Sequence, residues 1–341
     1  MQSKKILVIQ TAFIGDAILT LPLIQKLKSR FPESLIDVIA IPKTEEIFQS
    51  SSYVNEVIIL DKRGTHKSIS SILKFSKFIK EKKYDAIYSP HRSVRSAFIV
   101  MQSGVKETFG FNTSSWLHVY RTLAEYDINK HEVERNFSLL GLSPEEDWRI
   151  LPEIKADQKI SEKINSLIIE KSLSQGFVAI APGSVWKTKR YPKENFKKII
   201  FELNKNNIKV VLIGGSDDAD LCDQLNDTGN TISFAGQLSV IESIELLKHA
   251  SLLITNDSAP THMGMAADIP VLTLYCSTVP GFGFFPYNKK SKSISFDELK
   301  CKPCGIHGYE ACPLKHFDCG IKLTPDLVMK EALQLLDINR E

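Results

Sequence analysis

The stretch ILVIQTAFIGDAILTLPLIQKLKSRFP, residues 6–32, holds an apolar run, a short bend with one glycine, and then an apolar pattern of helical period. Strand, tight loop and amphipathic helix in that order form the opening unit of a parallel α/β sheet. A dinucleotide fold asks for G-x-G-x-x-G at such a bend, so that backbone can close on a pyrophosphate, and here Gly15 stands alone. Asp16 follows it. An aspartate beyond the carboxyl end of a strand lies where ligands of such sheets gather and can take a proton from a hydroxyl. It can equally cap the helix expected to begin at Ala17.

Outward from this stretch, apolar runs at 35–41, 56–60 and 84–89 continue the series with helical segments between them. A second series occupies 176–184, 208–216, 231–236, 251–258 and 270–277. Strands alternating with helices imply parallel sheets covered on both faces, and the two series share this plan without a sequence repeat. Residues 140–158, with two prolines and a cluster of acids, read as the linker. The expectation is therefore an α/β chain of two Rossmann-like, doubly wound parallel-sheet domains facing a cleft, covering 1–155 and 156–323. A last helix spans 324–341, capped by Thr324 with Pro325 in its first turn.

Length supports two domains, since 341 residues exceed one ordinary core. A composition of 43% hydrophobic and 24% charged residues, with no apolar run long enough to span a bilayer, is that of a folded, non-integral protein. The N-terminal run is broken by Gln10 and has no small-residue cleavage site, so it reads as a first strand and the expected location is the cytoplasm. Net charge is +3, but the first hundred residues carry 16 Lys/Arg against 9 Asp/Glu. Much of that excess lies in 61–83, where Ile69, Ile72, Leu73 and Ile79 mark one helical face and Lys67, Lys74, Lys77 and Lys80 the others. Such a helix is either a solvated surface or a patch that meets anionic headgroups or a phosphorylated acceptor.

Two further loops follow strands of the second series. APGSVWKTKRYPKENF, 181–196, sets Gly183 and Ser184 before the cationic pair Lys189-Arg190, which offers amides and a lysine to a diphosphate. ITNDSAPTHMGMAADIPVLTLYCST, 254–278, runs a strand into Asn256-Asp257-Ser258, with Pro260 early in the next helix and His262 one turn in. The amides and dipole at that helix start form an anion site, and His262 can donate to the same anion.

With these loops in place, the chain resembles the lipopolysaccharide heptosyltransferases of glycosyltransferase family 9, which have the GT-B fold. The similarity rests on GDAILTLPLIQKLK (15–28), KRYP (189–192) and NDSAPTHMGMAADIPVLTLYCST (256–278), in family order and at family-like separations. The resemblance implies transfer of heptose from ADP-heptose to a lipid A-linked core saccharide, with inversion and without a required cofactor or metal. It implies peripheral contact with the inner face of the inner membrane and no nucleic-acid partner. Asp16 matches the family's general base and Lys189 the lysine that neutralises the leaving diphosphate. On the same resemblance Ser184, Asp257, Ser258, Ala259 and His262 bind the donor diphosphate and sugar, Asp218 holds the ribose, and Leu238 lines the adenine pocket. Arg92 and Arg95, in the segment 89–104, match the acceptor side, where they can bind phosphate or a Kdo carboxylate. Ala259 departs from the family, which often has glycine there. Other readings are a family member using another nucleotide sugar, or a non-catalytic saccharide- or nucleotide-binding protein.

CKPCGIHGYEACPLKHFDC, 301–319, spaces Cys301, Cys304, Cys312 and Cys319 as C-x2-C-x7-C-x6-C beside His307 and His316. This pattern admits a structural zinc site, four reduced thiols, or an oxidised pair. A zinc-ribbon nucleic-acid module is disfavoured, because no aromatic and basic stacking surface accompanies the cysteines.

Overall fold

Leu7, Val8 and Ile9 of the first strand are wholly buried, as a strand covered by helices on both faces must be. The computed structural model describes residues 4–141, 147–226 and 230–338. The chain divides into two compact units, Met1–Lys155 and Ala156–Glu341. In the first, β1 (Lys5–Ile9), β2 (Leu35–Ala40), β3 (Glu56–Ile59), β4 (Ala86–Tyr88), β5 (Glu107–Phe111) and β6 (Thr122–Ala124) form one sheet in the order 3-2-1-4-5-6. The second contains β7 (Val178–Ala181), β8 (Val210–Leu212), β9 (Thr231–Ser233), β10 (Leu252–Asn256), β11 (Val271–Tyr275) and β12 (Lys292–Ser295) in the order 12-11-10-7-8-9. Renumbered from β7, that is the same order again. Every described ladder is parallel.

Each unit has its own core. In the first, Leu7, Ile9, Ile39 and Ile87 of the sheet pack with Ile72, Phe75 and Ile79 of the Ile69–Glu81 helix. In the second, Val178, Ile180, Leu252 and Leu272 pack with Phe196 and Ile199. The C-terminal helix, Pro325–Ile338, adds Val328, Ala332 and Leu335 to this second core, so it is part of unit 2.

Three sequence expectations change. The first helix is Ile14–Arg30, beginning three residues before Ala17. Ile69 and Leu73 are exposed, and the buried face of their helix is Ile72, Phe75, Ser76 and Ile79. The expected linker 140–158 lies in part (142–146) outside the described residues, as do positions 339–341 of the expected last helix. Its later half is tied to unit 1, because Gln25 bonds to Leu151 O at 3.1 Å and to Glu153 N at 3.0 Å, and Lys155 N donates to Ser50 O at 2.9 Å.

In both sheets the strand order turns at one place, between β1 and β4 and between β7 and β10. The loops leaving neighbouring strands there diverge to opposite faces and open a crevice. The loops picked out in the sequence leave these four strands.

Candidate active site

In unit 2 the loops after β7 and β10 are tied together by Asn256, the last residue of β10. Its amide donates to Pro182 O at 2.7 Å and accepts from Tyr191 N at 2.9 Å. A wholly buried asparagine that satisfies backbone on a second loop fixes that loop's path. The 3-10 turn Lys187–Lys189 is thereby set opposite β10. Lys189 Nζ lies 2.7 Å from Asp257 Oδ2, and the same oxygen accepts from Thr278 Oγ1 at 2.7 Å.

The helix Ala259–Ala266 starts here. Its N-cap, Ser258, makes no side-chain cap bond, and its hydroxyl turns back towards Gly183 O and Asn256 O. First-turn amides not capped by a side chain, with the helix dipole behind them, suit an anion. Ala259 is the first helical residue. Gly264 lets the helix lie on the sheet, since a Cβ there would fall 2.4 Å from Val271 Cγ2. His262 is buried, and among the described residues its Nδ1 has no hydrogen-bond partner. Burial pushes its imidazole down to about 4, with Asp257 opposing and Lys189 adding to the shift. The ring is therefore neutral at pH 7 and has one N–H to give.

Ser184 is buried on the loop after β7, where its carbonyl accepts from Arg190 Nε at 2.7 Å. Asp218 lies against the same loop: a Cβ on Gly183 would be 2.1 Å from Asp218 Oδ1, so a side chain there would displace the Asp218 carboxylate. Leu238 is half-buried in the turn after β9, which joins the Asp218 loop through Gly236 N to Gly214 O at 3.0 Å. Unit 2 thus gathers Ser184, Lys189, Asp218, Asp257, Ser258 and His262 on neighbouring loops, with Leu238 one turn further out.

In unit 1, Asp16 stands in the first turn of its helix and accepts from Phe13 N at 3.2 Å, so it does close the helix start. Its carboxylate is also felt by the buried Glu132. That carboxyl is raised above its usual range, by burial first and then by Asp16, with Arg135 pulling the other way. Arg135 is fully buried and bonds to Glu132 at 2.9 Å, to Tyr126 Oη at 3.1 Å and to the carbonyls of Asp127 and Ile128. Arg92 stacks on the other side of the network, 3.8 Å from the Tyr126 ring centroid.

Arg95 meets a cation the sequence reading did not single out. Lys62 donates to Thr11 O at 2.8 Å, and burial followed by Arg95 lowers its ammonium to about 8. His91, bonded to Thr11 Oγ1 at 2.8 Å, is lowered to about 4 by burial and then by Lys62 and Arg92. Among the described residues Lys62, Arg92 and Arg95 have no carboxylate within salt-bridge distance. Three cations gathered beyond β1, β3 and β4 without acidic partners suit an anionic ligand. Lys62 was visible only as one of eight basic residues in 61–83, and Glu132 as an unremarked acid; nothing in their spacing marked either.

The cysteine loop packs onto the Lys187–Lys189 turn. Tyr309 N donates to Thr188 Oγ1 at 2.7 Å, Thr188 N to Tyr309 O at 3.0 Å, and Cys304 N to Ser277 O at 2.8 Å. All six cysteines are free thiols. Among the described residues no three His, Cys, Asp or Glu side chains are already arranged around a common ion.

Residues 72–311 match the family model described as glycosyltransferase family 9 (heptosyltransferase). Lipopolysaccharide heptosyltransferase 3 of Escherichia coli K12 is 25% identical over 276 residues, covering 77% of this chain and 80% of that protein. Lipopolysaccharide heptosyltransferase 2 of the same strain is 24% identical over 293 residues, covering 82% and 84%. Among solved structures, E. coli ADP-heptose lipopolysaccharide heptosyltransferase II matches with a TM-score of 0.81 at 22% identity, over 99% of this chain and all of that one. A family 9 glycosyltransferase from Veillonella parvula matches at 0.87 and 22%, over 98% of each. These structures share the fold, two parallel sheets of GT-B type.

Proposed function

The chain belongs to glycosyltransferase family 9, the heptosyltransferases, and from that premise we propose that it moves a heptose from ADP-heptose to the inner core of a lipid A-linked saccharide. The reaction is an inverting displacement that uses no metal ion. The observation that carries this reading is the Lys189–Asp257 contact at the start of the Ala259–Ala266 helix, beside a buried neutral histidine with an unpartnered nitrogen. A lysine, helix-start amides and an imidazole N–H together suit a diphosphate leaving group.

Asp16 takes the proton of the acceptor hydroxyl as that oxygen forms its bond to the anomeric carbon. The bond from that carbon to the diphosphate oxygen breaks on the opposite face, and its electron pair leaves with ADP. Lys189 and the helix amides offset the charge that develops there, the kind of contribution that is worth most when donors are already in place. Asp218 suits the ribose hydroxyls, Ser184, Asp257, Ser258 and Ala259 the diphosphate and sugar, and Leu238 the adenine. Arg92, Arg95 and Lys62 suit a phosphate or carboxylate on the acceptor.

Such an acceptor is held in a membrane, and among the described residues no helix is long and apolar enough to cross one. The reading therefore includes peripheral contact at the inner face of the inner membrane. Lys67, Lys74, Lys77 and Lys80, alternating with exposed Ile69, Leu73 and Phe78, support it.

The test is release of ADP from ADP-heptose with a core acceptor truncated before its heptose, followed by mass analysis of the product. A product heavier by one heptose is expected. Turnover with another nucleotide sugar alone overturns the donor assignment.

A further inference from the structure

Arg92 is fixed at three points. Its Nη1 donates to Thr113 Oγ1 at 2.9 Å, its carbonyl accepts from Ser115 N at 3.0 Å, and its guanidinium carbon stands 3.8 Å over the Tyr126 ring centroid. The ring it rests on is itself anchored. Tyr126 N donates to Asn112 Oδ1 at 3.0 Å, and the ring meets Phe111 at 5.1 Å and a near-perpendicular 81°. Its hydroxyl donates to Glu132 Oε2 at 2.9 Å and accepts from Arg135 Nη1 at 3.1 Å. Burial, followed by Glu132, pushes this phenol up to about 12, so the hydroxyl keeps its proton. Glu132 and Arg135 are buried on the helix Glu132–Ser138, and the same helix is bonded to the Asp16 helix, Ile14–Arg30, by Asn136 Nδ2 to Leu19 O at 3.1 Å. One connected set of contacts within unit 1 therefore runs from the helix of Asp16 to the guanidinium of Arg92.

We propose that Tyr126 is a positioning residue: its ring holds the Arg92 guanidinium so that this group meets an anionic oxygen group of the acceptor at a set place relative to Asp16. The proposal rests on the reading of Arg92 as an acceptor contact; the stack itself does not. A guanidinium is planar, and over a ring it keeps N–H donors at its edge for a phosphate or carboxylate. An unsupported arginine would have to lose its rotamer freedom when the acceptor binds, and a ring that has already ordered it removes that cost. Lysine, a point charge without a plane, gains less from the same ring. If Tyr126 served only to satisfy Glu132 and Arg135, its hydroxyl would matter and its ring would not. The two roles therefore make opposite demands on the side chain that replaces it.

The test is a double-variant cycle on the full chain, with heptosyl transfer followed at saturating ADP-heptose and varied truncated core acceptor. Tyr126→Leu should raise the acceptor KM by about tenfold with kcat within about twofold of the parent. Tyr126→Phe, which loses the hydroxyl bonds and keeps the ring, should lower the melting temperature and leave KM near the parent's. Arg92→Lys should raise KM by about as much as Tyr126→Leu, and the two together by no more than about twofold further, because the ring acts through the guanidinium. Removing the acceptor's phosphates beforehand separates the anions: the Tyr126→Leu effect vanishes if Arg92 meets phosphate and persists if it meets a carboxylate. Independent, multiplying effects of the two substitutions, or equal KM rises in Tyr126→Phe and Tyr126→Leu, overturn the positioning role. Relaxation of the Arg92 side-chain Nε–H by NMR reads the stack without turnover, with an order parameter below about 0.6 expected only in Tyr126→Leu. Equal order in the parent and Tyr126→Leu overturns the stack. Arg92 ordered in a parent that transfers no heptose keeps the stack and removes only the acceptor reading.

Discussion

Asp16 is assigned two jobs that point in different chemical directions, one as the acceptor that closes its helix start and one as the proposed base. As a cap it needs only an acceptor for Phe13 N–H, at 3.2 Å, whereas as a base it needs a carboxylate that can hold a proton. Asparagine keeps an acceptor oxygen and cannot take the proton, so Asp16→Asn separates the roles. We expect kcat to fall by at least about 10²-fold, with ADP affinity by calorimetry nearly unchanged. The melting temperature should also stay close to the parent's, since the cap is retained. Unaltered turnover would leave Asp16 as a helix cap alone. The neighbouring Glu132 is a like charge to Asp16, which together with burial raises its carboxyl, while Arg135 and Tyr126 oppose that shift through their bonds to it.

At the level of elements, the helix Ile69–Glu81 shows what a period can and cannot reveal. Its apolar positions predict a helix correctly, but Ile69 and Leu73 lie outside the buried stripe of Ile72, Phe75, Ser76 and Ile79. Periodicity alone does not say which of two apolar rows meets the core. Leu73, Lys77 and Lys80 of the outward row border a groove of 580 Å³ lined also by Glu81, Lys83 and Gln102. Reversing three charges in Lys74→Glu, Lys77→Glu, Lys80→Glu should weaken sedimentation with anionic vesicles by at least about tenfold, as each cation near such a surface is worth about 1 kcal/mol. Binding by the parent chain should fall with added salt; equal binding of parent and variant would remove this helix from membrane contact. Nine strands were legible as apolar runs. β5, β6 and β12 were not, because β6 and β12 are sheet edges of three and four residues with polar positions, and β5 is interrupted by Gly110. The donor-side loops were legible for a related reason: turn residues, a lysine and an N-cap cluster follow strands directly. The charges near Thr11 and Asp16 were not, because Lys62 and His91 come from loops after separate strands that the 3-2-1-4-5-6 order brings beside β1, and Glu132 comes from the helix Glu132–Ser138 that packs on the first helix.

For the whole molecule, duplicated topology distributes a shared pH liability. Unit 1 contains His91 and unit 2 His262, both held neutral by burial with pKa values near 4, against about 6.5 in an unfolded chain. Between those values the unfolded state binds more protons than the folded one, so unfolding free energy rises with pH and stability is lost as pH falls. The full shift is worth on the order of 3 kcal/mol per histidine, and about 2 kcal/mol of it is spent between pH 7 and 5. In this window Asp61, Glu153, Glu242 and Asp318, whose pKa values are lowered, are ionised in the folded state and mostly so in the unfolded one, so they add only a small slope of the same sign near pH 5. Glu132 works the other way in unit 1, since its raised pKa makes the folded state the better proton binder there. The melting midpoint should therefore drop by several degrees from pH 7 to 5. His262→Asn and His91→Asn should each flatten that dependence, and by similar amounts, because burial lowers both imidazoles to about 4. A dependence as steep in both variants as in the parent would mean that the imidazoles take up protons in the folded chain as readily as in the unfolded one, and with that would go the neutral N–H assigned to His262 at the diphosphate.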